Sequence, residues 1–287
     1  MQRKLNSKEL VDRFIISHNK QEDSPLFCVI PPELRNRIFH LACQSTPCKD
    51  KPYPRDSYYY RPGYEFPQKV YTDLLRTCRL VYLETRLLPV KINEHAFWCG
   101  RGPPGRYTGN PSGYFGEAHR FTEGQLDAVD TVHIFTQLWW LEGNLPSLCR
   151  DGGIRTRKIH ITVRHSDWWW WEQNKPLHLK QEWLESLKEI KGLDTFILEL
   201  ETIERDKDQM YTIANGLKTR KIELQNGGTL IASGSSMEQW RGPSKFERQW
   251  CYLKDRNVWS RRDPWLRAQG PDPGLVYCTV MLTWKVQ

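Results

Sequence analysis

Three stretches of this chain, 131–137, 158–164 and 194–202, place apolar residues at every second position. They carry Val132 and Ile134, then Ile159, Ile161 and Val163, then Phe196, Leu198 and Leu200. A period of two describes a strand with one face turned to a core. Between the second and third, Trp183, Leu184, Leu187 and Ile190 repeat at helical spacing and predict a helix over 181–190. A helix over 206–218 (Met210, Ile213, Ala214, Leu217) follows, then a short strand at Ile222 and Leu224. A last strand covers 275–286 through Val276, Cys278, Val280, Leu282 and Trp284. This order predicts an α+β (mixed α/β) fold, a small mixed or parallel sheet with helices packed on it.

Upstream the pattern differs. Residues 1–24 read as a polar N-terminal segment. Leu34, Ile38, Leu41 and Ala42 give an amphipathic helix over 31–43, opened by two prolines that cost nothing at a helix start. Residues 44–69 hold five prolines and read as an irregular loop, before a second helix over 72–88. A Gly/Pro-rich loop covers 100–121, and Thr122 with Gln125 fits a capping box beyond it. The expected organisation is a helical module over 25–99 with an inserted loop at 44–70. An α/β body then spans 122–287 and contains an Arg/Trp-rich loop at 233–274.

Composition narrows the function classes. No apolar run approaches the length of a membrane span, and charges punctuate the first twenty residues where a signal peptide needs an unbroken apolar stretch. A cytoplasmic or nuclear protein is therefore expected, with no membrane partner. The net charge of +8 divides evenly between the halves, so charge alone does not define a nucleic-acid binder. The eight cysteines lack a CxxC pair and read as reduced, mostly buried thiols.

Residues 25–41, PLFCVIPPELRNRIFHL, carry Pro32, Glu33, Leu34, Ile38 and Phe39 in slots of the pattern Leu-Pro-x-Glu-Leu-x-x-x-Ile-Phe, with Ile30 or Pro31 where Leu is usual. Residues 74–83, LLRTCRLVYL, place a Cys-Arg pair before an aromatic, and Glu84, Leu88, Pro89 and Phe97 continue the pattern. Together these segments resemble a family of fungal F-box-like proteins, and ITVRHSDWWWWE resembles a later strand-and-tryptophan segment of the same group. The resemblance implies an intracellular adaptor for protein–protein interaction. Its F-box-like helices would dock a Skp-type subunit of a cullin ubiquitin ligase, and its C-terminal part would hold an unknown protein substrate. Pro32, Glu33, Leu34, Ile38, Phe39, Leu75, Cys78 and Val81 would form the docking face or its supporting core.

Three other constellations stand out. Thirteen tryptophans include the run Trp168, Trp169, Trp170 and Trp171. If that run is extended, alternate indoles point opposite ways and one pair offers a partner surface; the competing reading is core packing. Residues 240–267 combine Arg241, Arg248, Trp250, Arg256, Trp259, Arg261 and Arg262 with further basic and aromatic residues, an arrangement suited to a polyanion such as single-stranded nucleic acid. No RNP, zinc-finger or helix-turn-helix signature accompanies it. Finally, strand alternation puts His133, His160, Arg164, Glu199 and Glu201 on the face opposite the apolar one. That set could serve acid–base chemistry or simply form a salt-bridged sheet face. Without a nucleophile elbow or cofactor motif, the sequence reads as a non-enzymatic protein with no cofactor. His40, Cys43, Cys48, His95 and Cys99 lack zinc-site spacing, so no metal is expected.

Overall fold

The computed structural model describes residues 7–104, 106, 109, 111–115, 121–151, 154–243, 250–253, 258–261 and 274–287. Its strands, numbered along the chain, are β1 (Thr46–Pro47), β2 (Gln68–Lys69), β3 (Glu94–Cys99), β4 (Thr131–Thr136), β5 (Lys158–Val163) and β6 (Thr195–Ile203). They continue as β7 (Ile222–Glu223), β8 (Thr229–Gly242), β9 (Trp250–Leu253), β10 (Val258–Arg261) and β11 (Leu275–Val286). Seven form one mixed sheet in the order β3-β4-β5-β6-β11-β8-β7. Strands β3 to β6 run parallel, and β11 lies antiparallel between β6 and β8. The fold is thus α+β with a mixed sheet. No helix among the described residues is long and apolar enough to cross a membrane.

The register explains the core. Ile159, Ile161 and Val163 stand beside Phe196, Leu198 and Leu200, which in turn face Trp284, Leu282 and Val280. All of these are buried. Helices Leu138–Gly143, Leu145–Arg150 and Lys207–Lys218 cover this face with Leu141, Leu145, Met210 and Leu217. Fully burying each such side chain contributes about 1.5–3 kcal/mol.

Several expected elements change form. The segment expected as a helix over 181–190 is a 3-10 helix, Glu182–Glu189, whose Trp183, Leu184 and Leu187 still face the core. The helix expected over 72–88 is broken. Cys78 is extended at φ −153°, and its Sγ accepts from Val81 N at 3.5 Å, starting a new helix at Arg79–Thr85 after a 3-10 turn, Asp73–Arg76. The loop expected from 233 begins instead as the long strand β8. Its Ser233, Gly234, Ser235 and Ser236 show no apolar alternation because half of this strand is exposed and only Leu230 is buried, and its order comes from pairing with β11. Strand β3, also not expected, extends the sheet from the segment that precedes the Gly/Pro loop.

Near the N-terminus, helix Pro32–Cys43 turns Phe39 and Cys43 inward. Buried Asn93 fastens its end: Nδ2 donates to the carbonyls of Cys43 (2.9 Å) and Pro89 (2.8 Å), and Oδ1 accepts from Ser45 N (2.6 Å). A buried amide satisfied on both sides holds three segments in one geometry. The chain between β1 and β2 then folds across the sheet face opposite the helices.

Candidate functional site

Parallel pairing sets His133 beside His160, and Thr162 beside Glu199. Alternation therefore gathers the polar set expected from the sequence, including Glu201 one step along β6. Buried beneath the β1–β2 connection, the cluster is not a solvated face. Arg61 from that connection is itself buried and ion-pairs with Glu199 and, at 3.4 Å, with Glu201. Arg61 and Tyr64 were invisible as site residues from sequence, because a proline-broken loop gives no periodicity that assigns it to a face. Glu94 was missed with its strand. The only signal was the density of tyrosines.

A line of short contacts crosses four strands, β3 to β6. The Tyr64 hydroxyl donates to Glu94 Oε1 at 2.6 Å and lies equally close to His133 Nδ1. His133 Nε2 is 2.8 Å from Thr162 Oγ1, which donates to Glu199 Oε2 at 2.7 Å. With Thr162 donating to Glu199, His133 Nε2–H donates to Thr162. The single Tyr64 proton then serves two acceptors. The line therefore has room for one more proton, on His133 Nδ1. The ring of His160 stacks on His133 with centroids 3.8 Å apart. Its Nε2 lies 3.2 Å from Glu199 Oε2 but outside hydrogen-bonding geometry, so that contact is electrostatic.

Burial decides the charge states. It pushes His133 down to about 4, helped by neighbouring His160 and opposed by Glu94. Burial alone would raise Glu94, but the hydrogen bond and charge of His133 and the Tyr64 hydroxyl hold it down to about 2. Burial also acts to raise Glu199, and Arg61 and His160 outweigh it, leaving that carboxyl well below its usual range. Glu201 goes the other way: burial and the Glu199 charge raise it, despite Arg61 and an indole bond from Trp240 at 3.1 Å. Unequal carboxyls side by side are what acid–base sites use. Here, however, each is engaged by neighbouring protein groups.

Glu94, His133 and His160 bring potential ligand atoms within 4.8 Å of one another. Imidazole lone pairs lie in the ring plane, and these two rings are only 16° from parallel. Stacked rings aim their lone pairs side by side rather than at one point, so metal binding requires one ring to turn.

Arg164 adjoins the cluster, lining a small pocket with Arg61 and Glu201, but is committed to other partners. It pairs with Asp167 at 2.5 Å, donates to Tyr58 O at 2.8 Å and lies over Trp98. The tryptophan run is not extended. Trp170 adopts a left-handed φ of 58° and is exposed, whereas Trp168 and Trp171 are buried and Trp169, half-buried, donates to Glu142 at 3.0 Å. The run is thus mostly core, with a single indole displayed. Of the basic segment, Arg241 is exposed on β8; Arg248, Arg256 and Arg262, and the side chains of Trp250, Trp259 and Arg261, lie outside the described residues. Among the residues expected to dock a partner, Pro32, Glu33, Leu34 and Ile38 are exposed, Leu75 and Cys78 half-buried, and Phe39 and Val81 buried in the core.

No family profile matches the chain. Neither a curated protein nor a solved structure matches it either.

Proposed function

We propose that the chain is a non-enzymatic adaptor that binds a partner protein through helix Pro32–Cys43. One observation carries this reading: Leu34, Ile38 and Leu41 are 59, 44 and 55% exposed, and Val29 beside them is 72% exposed. Spacings of four and three residues put the first three on one stripe. The opposite stripe is anchored by Phe39 and Cys43, so the exposed apolar residues cannot simply roll inward. A contiguous apolar patch on a well-anchored helix marks an interaction surface. The F-box-like pattern supplies the partner, a Skp-type subunit of a cullin ubiquitin ligase, leaving the rest of the chain to hold a substrate. Exposed Trp170, with Lys175 Nζ 4.7 Å from its ring centroid, is one candidate contact for that substrate.

The deciding experiment is a pull-down of the full chain with a purified Skp-type subunit, beside the double variant Leu34→Asp/Ile38→Asp. Both side chains are exposed, so the variant keeps its fold, checked by circular dichroism. Stoichiometric capture lost in the folded variant supports the adaptor; no capture of the wild type overturns it.

A further inference from the structure

A second surface, which involves none of the docking stripe and does not rest on the adaptor reading, lies at the free edge of the sheet. Among the described residues β3 has a single neighbour, β4. Along its outer side runs an open cavity of about 810 Å³. Glu94 to Phe97 and Trp98 all line it, successive residues from both faces of the strand, so the cavity follows the edge rather than one face. Tyr53, Tyr64, Phe66, Tyr114 and Phe121 supply aromatic walls.

Charge is what singles this cavity out. Glu94 has 36% of its side chain exposed there, and its only ion-pair partner among the described residues is buried His133. Its Oε1 accepts from Tyr64 at 2.6 Å and lies 3.2 Å from His133 Nδ1, which carries no proton in the neutral ring, and among the described residues no partner reaches Oε2. Burial holds His133 neutral at pH 7, so among the described residues no cationic side chain is paired with Glu94. Among the described residues the one guanidinium on the cavity wall, Arg106, is turned to the carbonyl of Gln68 at 2.7 Å. An ionised carboxylate among aromatic rings attracts an organic cation through both Coulomb and cation–π terms.

The geometry points to a peptide site in which an extended segment lies along β3 and inserts a lysine or arginine side chain against Glu94. The size argues for a peptide over a free amine, since the volume far exceeds one ammonium group and suits a drug-sized ligand. So does the strand edge, whose main-chain groups can pair with an added strand while alternate side chains enter pockets.

The test titrates the full-length chain with a library of blocked pentapeptides carrying lysine at the centre, and with the same library carrying norleucine there, followed by calorimetry. Lysine peptides should bind about tenfold or more tighter than their norleucine counterparts. Glu94→Gln, which keeps an acceptor for Tyr64, should erase that preference, and Phe66→Leu should weaken lysine peptides while the far-ultraviolet spectrum stays unchanged. N-methylating the peptide backbone should weaken binding further. Equal binding of the two libraries, no binding by either, or a preference that survives Glu94→Gln overturns the site. Butylammonium binding as tightly as the peptides, or N-methylation without effect, overturns the peptide as its occupant.

Discussion

On one face of the central sheet Ile161, Leu198 and Val280 meet helices; on the other, His133 of β4 and Glu199 and Glu201 of β6 meet a loop. The apolar face has many interchangeable contributors, since any side chain of suitable volume excludes water equally well. The polar face depends on particular partners. Arg61 satisfies two carboxylates at once, and Tyr64 bridges β3 and β4. An apolar surface tolerates approximate neighbours, whereas a buried charge left without its partner retains its whole desolvation cost.

The largest expected effect breaks the polar face. Arg61→Met leaves Glu199 and Glu201 facing each other without a cation, and should cost about 3–5 kcal/mol in urea unfolding. Adding Glu199→Leu and Glu201→Leu should recover much of that loss, because an apolar replacement of a whole buried ionic set is often close to neutral. On the helix-covered face, Leu282→Ala should cost about 2–5 kcal/mol, with no comparable rescue by a change at a second site.

Acid should separate the faces next. His133 and His165 are both buried and lowered to about 4 from 6.5. Unfolding therefore lets them take up protons, and their contribution is complete above pH 6.5 and lost as pH falls toward 4. The unfolding free energy from urea titration should drop across that window by up to about 1.4 kcal/mol per pH unit for each histidine, and less steeply in His133→Gln. Glu94, held near 2, loses its contribution only from pH 4.5 downward. The smallest effect is expected at Trp170→Ala, within about 0.5 kcal/mol as for other exposed positions, while Trp168→Ala should cost about 3–5 kcal/mol.

The two faces were also unequally legible in the sequence. Alternation alone located β4, β5, β6 and β11 and assigned His133, His160, Glu199 and Glu201 to a common face, because a period of two is local information. What covers that face is not local. Nothing in the Tyr/Pro-rich stretch announces that Arg61 will reach β6, 138 residues away. Strand β8 was hidden for a related reason: its serines and glycine take their conformation from β11 rather than from a buried stripe of their own. The tryptophan run failed through backbone geometry, since a left-handed turn at Trp170 replaced the assumed extended chain.

The span between Arg61 and Glu199 also sets an order of events during synthesis. At roughly 5–20 residues per second, Arg61 is synthesised about 7 to 28 seconds before Glu199, 138 residues further on. Until then the β1–β2 connection has no charged seat and must wait as open chain. Closing so long a loop is an entropic cost that only an assembled β6 repays. The nascent chain therefore acquires β3, β4 and β5 before it can seal the polar side. In that interval the stacked imidazoles of β4 and β5 lie open to solvent, within reach of chaperones.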